Sequence, residues 1–176
     1  AVGPNGKVVA LEPDPESYSY LEKTIDANSV GNVKSFRVAA SDAPANLPLF
    51  ISKDNRGDNR LYASADKRPQ IEVEARPVDE LLTENNISTV DLIKIDVQGY
   101  EPKVIAGLSE TIARSPNLTI LTEFWPKGIT EAGGEAKTFL DDLRTLGLTL
   151  YELRTDGNLS ELTDDNDLIF RHQGRK

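Results

Sequence analysis

Residues 90–101 read VDLIKIDVQGYE. Val90, Leu92, Ile93 and Ile95 make a short, nearly continuous apolar run, the pattern of a strand buried on both faces. The run stops at Asp96. Gly99 then permits close approach of backbone and ligand, and Glu101 enters a first helical turn, where negative charge is favoured. Val104, Ile105, Leu108 and Ile112 share one face, which predicts a helix over 101–113. The order strand, acidic tip, helix is the unit of a sheet flanked by helices.

The unit recurs on either side. Upstream, residues 7–11 (KVVAL) form a strand ending at Glu12-Pro13. Asp14 caps a helix with Pro15 at its first position and Tyr18, Leu21 and Ile25 on one face. Residues 33–40 (VKSFRVAA) form a second strand closing on Ser41-Asp42. Downstream, residues 118–122 (LTILT) form a strand ending at Glu123, and a helix over 135–146 carries Phe139, Leu140 and Leu143 before Gly147. Between these halves, residues 47–52, the turn-rich KDNRGDN, residues 60–64 and residues 71–75 read as short antiparallel strands with one wet face. They make a β insertion at about 44–76 within one domain spanning 1–176, followed by a short helix with Val78, Leu81 and Leu82. Residues 148–153 and 167–171 read as the last two strands, and the polar stretch between them, lacking helical pattern, makes them antiparallel neighbours. The predicted fold class is α/β.

Composition narrows the function. The 176 residues carry 29 acidic and 20 basic side chains, a formal charge of −9 that repels phosphate backbones and anionic lipid heads, so neither nucleic acid nor membrane is expected as a partner. No apolar run approaches the ~20 residues needed to span a bilayer, and a soluble, cytoplasmic protein is expected. The absence of cysteine excludes disulfides, thiolate catalysis and cysteine-held metals. A single histidine, His172, speaks against His-rich metal sites and Ser-His-Asp catalysis, and no metal is expected.

In an open parallel α/β sheet, ligands bind beyond the carboxyl ends of the strands. Those ends carry Glu12, Ser41-Asp42, Asp96 and Glu123. Glu12 suits the vicinal hydroxyls of a ribose, and equally the N–H groups of its own EPDP turn. Asp42 suits the exocyclic amine of an adenine, or simply opens a loop. Asp96 ends an apolar strand with an ion, which has no packing benefit and marks a cleft. Glu123 and Trp125 offer a carboxylate and an aromatic wall for a substrate, though a lone Trp also serves ordinary packing. Residues 53–60, with Lys67 and Arg68, read as a solvated mixed-charge loop, with a lid or acceptor contact as the alternative.

The succession GPNGKVVALEPDP, NVKSFRVAASD, VDLIKIDVQGYE and LTILTEFWP resembles the FkbM family of S-adenosylmethionine-dependent methyltransferases over nearly the whole chain. The most specific piece, KIDVQGYE, is similar to the family's K-I-D-V-E-G-x-E, with Gln98 in place of the usual Glu. The resemblance implies a Rossmann-like class I methyltransferase sheet in the order 3-2-1-4-5-7-6, with strand 7 antiparallel and helices on both faces. It also implies that Glu12, with Pro13, binds the ribose of the cofactor S-adenosylmethionine, that Ala40, Ser41 and Asp42 lie against adenine, and that Asp96 and Gln98 line the pocket near the methionine part and the acceptor. The implied reaction is O-methylation of a hydroxyl on a small molecule or glycan; a homo-oligomer is compatible with it. With one histidine, a carboxylate, Asp96 or Glu123, is expected to position that hydroxyl and take its proton.

The family's first strand and its acidic-Gly-x-x-x-x-Gly turn would lie before GPNGKVVALEPDP, in the middle of the sheet. The expectation is that a native N-terminal segment carries them or that another copy supplies the strand. Two alternatives stand beside the enzyme reading. One is an inactive remnant serving as an interaction module. The other is a nicotinamide-dependent oxidoreductase, disfavoured by the helix-free link between the last two strands.

Overall fold

The computed structural model describes residues 2–63 and 65–173 and has mixed α/β content. Strand β1 (Val8–Leu11) pairs in parallel with β2 (Val33–Phe36) from Val8↔Val33 to Leu11↔Phe36, and helix α1 (Pro15–Ala27) makes the crossover between them. The helix starts where the sequence places it: the Asp14 carboxylate accepts the Glu16 N–H and Pro15 takes the first position. β3 (Ala39–Ala40) runs parallel to β5 (Gln70–Arg76), whose other edge pairs antiparallel with β4 (Ala45–Phe50). After α2 (Val78–Glu84), β6 (Leu92–Ile95) leads through α3 (Glu101–Ala106) and α4 (Ser109–Arg114) to β7 (Thr119–Thr122). β6 and β7 pair in parallel, ending at Ile95↔Thr122. Helices α5 (Pro126–Glu131) and α6 (Ala136–Thr145), the antiparallel pair β8 (Tyr151–Leu153) and β9 (Leu159–Glu161), and helix α7 (Asp165–His172) complete the chain.

Several elements differ from the sequence reading. Residues 33–40 are not one strand: the chain leaves β1 after Phe36, and Ala39–Ala40 joins β5 instead. Within 60–64 the pairing is a single bridge, Phe50↔Arg60, and Ser64 lies outside the described residues. The helix expected over 101–113 is two, broken at Gly107-Leu108. The break accompanies a close approach: a Cβ at Gly107 would stand 2.0 Å from the Ser41 carbonyl oxygen. Residues 167–171 are helix, not strand, so the antiparallel partner of β8 is β9. Asp164 caps α7 through the Asp167 N–H, acids fill its first turn and Arg171 and His172 its last, an arrangement the helix dipole favours.

The main core forms on one face of β6–β7, where Ile93, Ile95 and Ile120 pack with Val104, Ile105, Leu108, Ile129 and Phe139. Helices were expected on both faces, but the opposite face leaves Leu92 63% and Leu121 46% exposed. Among the described residues the strands form separate ladders, β1–β2, β3–β5–β4, β6–β7 and β8–β9, with none joining β1 to β6. No helix among them is long and apolar enough to cross a membrane.

Helix α4 receives its cap from α2. The buried Asp79 carboxylate accepts the N–H groups of Glu110 (2.9 Å) and Thr111 (2.8 Å) and the Thr111 hydroxyl, while the Asp79 N–H donates to the Gly107 carbonyl. Asp79→Ala leaves those buried donors unpaired and is expected to lower stability by about 2 kcal/mol. Urea denaturation checks this, and an unchanged midpoint would contradict it.

Candidate active site

The tips of β6 and β7 bring three of the expected residues together. The Gln98 side-chain amide donates to Asp96 Oδ1 (2.9 Å) and Glu123 Oε2 (3.1 Å), so one nitrogen bridges acids from neighbouring strands. Asp96 Oδ2 also accepts the Lys94 ammonium at 2.9 Å. Partial desolvation of the otherwise exposed Glu123 lifts its pKa, the Asp96 charge adds to the rise, and Lys94 opposes it.

The turn that places Gln98 is tightly held. Gln98 sits at φ +58° and Gly99 at φ +103°, both in the left-handed region. Glu101, fully buried, accepts the Val97 N–H (3.0 Å) through one oxygen and the Gly99 N–H (2.9 Å) through the other. Burial pushes its pKa up to about 7 against the pull of those backbone donors. From the insertion, the Tyr62 hydroxyl donates to the Gln98 carbonyl at 2.6 Å, and burial raises that phenol to about 12. A Cβ at Gly99 would stand 2.4 Å from the Gly128 carbonyl carbon, so the close approach seen here is to protein backbone.

Trp125 is packing rather than a substrate wall. It is 5% exposed, and the Arg60 guanidinium stacks 4.9 Å from its ring. Arg60 also pairs with Asp58 and Glu131, and Arg68 with Asp58 and Asp66, which leaves both arginine side chains under 10% exposed. The mixed-charge loop is thus fixed structure at these residues, not solvated surface. Arg56 carries it to the first half of the chain, pairing with Asp14 (2.6 Å) and Glu16.

The other expected residues occupy two further strand tips. Glu12, half-buried, accepts the Asp14 N–H at Oε1 (2.8 Å), as its local alternative had it. Burial raises its pKa, the Asp14 N–H opposes this, and the Asp14 charge reinforces it. Oε2 of Glu12 has no hydrogen-bond partner among the described residues. Pro13 lies in the same turn, and Ala40 is the last residue of β3, packed against the main core. Ser41 is buried and donates to Asp42 Oδ1, while Asp42 Oδ2 pairs with Lys103 at 2.7 Å, an ion pair that lowers the Asp42 pKa. Among the described residues no hydrogen bond or ion pair joins Glu12 or Asp42 to the Asp96–Gln98–Glu123 group. A cavity of about 520 Å³ lies between α5, α6 and α7 and is lined by none of these acids. Arg56, Arg60, Tyr62 and Lys103 were missed as structural partners of the tips. No local pattern marks them, because Asp14 at Arg56, Trp125 at Arg60, the Gln98 carbonyl at Tyr62 and Asp42 at Lys103 are all distant in sequence.

Comparison with known proteins supplies a family. The model of the Methyltransferase FkbM domain matches residues 1–147. Methyltransferase sdnD of Sordaria araneosa is 25% identical over 156 residues, covering 72% of this chain and 60% of its own length. The 2-O-methyltransferase NoeI of Sinorhizobium fredii is 26% identical over 161 residues, covering 82% of this chain and 64% of its own. The chain therefore spans about three-fifths of the curated relatives it matches. The crystal structure of a methyltransferase FkbM from Methylobacillus flagellatus superposes with a TM-score of 0.57 at 13% identity, covering 90% of this chain and 34% of that one, a likeness of fold.

Proposed function

Because this chain belongs to the FkbM methyltransferase family, we propose that it serves S-adenosylmethionine-dependent methylation of a hydroxyl on a small molecule or glycan. The observation that carries the reading is the pair of acids at the tips of adjacent parallel strands, Asp96 and Glu123, held by one amide. In this reading the β1–β2 and β6–β7 ladders belong to one sheet in the order 3-2-1-4-5-7-6, closed by a strand between β1 and β6.

The donor set fits the cofactor. Glu12 keeps an oxygen available at a strand tip for a ribose hydroxyl, and the lone pairs that Asp42 retains beside Ser41 suit an adenine amine. When bound, S-adenosylmethionine supplies a methyl on a positively charged sulfur that departs as a neutral thioether. The protein's part is alignment and proton acceptance. A carboxylate beside the sulfonium would favour the ground state at least as much as the transition state, which assigns Asp96 and Glu123 to the acceptor hydroxyl.

The test is calorimetric titration of the full-length protein with S-adenosylhomocysteine. Glu12→Ala is expected to weaken binding by about 1–3 kcal/mol, the scale for losing charged hydrogen bonds. Unchanged affinity would remove Glu12 from the site, and saturable binding to NAD alone would remove the methyltransferase reading.

A further inference from the structure

We infer that Gln98 is a positioning residue and that Glu123, rather than Asp96, is the carboxylate that receives the acceptor's proton, at its Oε1 atom. The chemistry rests on the methyl-transfer reading above. Asp96 has both oxygens engaged inside the protein, Oδ1 with Gln98 and Oδ2 with Lys94. Glu123 has only Oε2 engaged, with Gln98, and Oε1 has no hydrogen-bond partner among the described residues. The side chains of the two acids are exposed, whereas Gln98 is 8% exposed, so the amide is the fixed member of the trio.

The amide lies with its NH2 toward the acids because its oxygen, an acceptor only, would repel both. Its two N–H donors suffice for two carboxylates. The backbone serves that placement: a non-glycine residue at φ +58° is strained, and it is held by Tyr62 on its carbonyl and by Glu101 on the N–H groups to either side. The titratable groups facing Glu123 are Lys94 from β6, Asp96 just beyond its end and Glu101 from α3. Without the amide, neighbouring negative tips favour a shared proton, and a base already protonated cannot take one from a substrate. With it, two donors face the two acids, and Glu123 presents one free oxygen at a fixed place.

The test is a carboxyl-carbon NMR titration of the full-length protein without ligand. In Gln98→Ala, Glu123 is expected to bind its proton about tenfold or more tightly than in the wild type. The isosteric Gln98→Glu preserves side-chain shape while exchanging the donor for a third negative charge. It is expected to shift Glu123 further in the same direction, and it carries the test if Gln98→Ala does not fold. A role confined to packing would leave the Glu123 midpoint unmoved in the folded isostere, and that result overturns the Gln98 assignment. Calorimetry with S-adenosylhomocysteine on the same samples separates the two readings. A shifted Glu123 with no binding removes methyl transfer and the proton-acceptor role with it, whereas binding with an unmoved Glu123 removes the role of Gln98 alone.

Discussion

Replacing Gly99 with alanine is expected to destabilise the protein by about 3 kcal/mol or more, through combined backbone strain and overpacking. At φ +103° an L side chain is strained wherever it sits, and here the new methyl would also meet the Gly128 backbone at 2.4 Å. Gly128 cannot retreat, because its own Cα lies against the Trp125 ring: a Cβ there would be 2.1 Å from the indole. Trp125 is held in turn under Arg60. Gly157 is the internal control: its φ is +84° and nothing lies within 4 Å of an added Cβ, so Gly157→Ala carries the conformational cost alone, about 1–2 kcal/mol. Urea denaturation of both variants separates the contributions. Equal losses would show that the contact with Gly128 does not matter.

Acidification is expected to strengthen the hold of Glu101, not weaken it. Burial raises this carboxyl from 4.5 to about 7 in the folded protein, so the folded state binds the proton more tightly than the unfolded chain. Its contribution is therefore fully present below about pH 4.5 and is lost as pH rises through about 7. The scale is about 3 kcal/mol across that window. Asp14, Asp42 and Asp165 have lowered pKa values, so their stabilisation fades below the ordinary aspartate range instead, which separates the two effects in pH. Glu101→Gln removes the titration, and its stability is expected to be flatter than the wild type's between about pH 4.5 and 7. Parallel curves for the two proteins would contradict the assignment.

What the sequence reveals and conceals follows from the range of the interactions. Apolar runs such as LIKI and TILT, the Asp14-Pro15 start of α1 and the inward face of Val104, Ile105, Leu108 and Ile112 are local patterns, and the structure contains them. The acids at the strand tips were legible for the same reason. The break at Gly107 was not: it coincides with a close approach of the Ser41 carbonyl, a contact reached only after folding. Residues 167–171 carry a short apolar run, Leu168 to Phe170, that suits a strand, yet Asp164 and the charge gradient along Asp165–His172 favour helix. Arg60 and Arg68 looked solvated because charge in a turn-rich segment usually is; their burial rests on Asp58 and on the distant Trp125 and Glu131. Gln98 stood out only as a departure from a family pattern, and its bridging geometry is a tertiary fact.

The most direct measurement is an amide NMR titration of the full-length protein with S-adenosylhomocysteine, following three groups: Glu12 and Asp14, Ser41 and Asp42, and residues 97–99. Shifts in all three groups that saturate together are expected if these strand tips share one nucleoside. Shifts confined to a single group, or none at all, would contradict a common site.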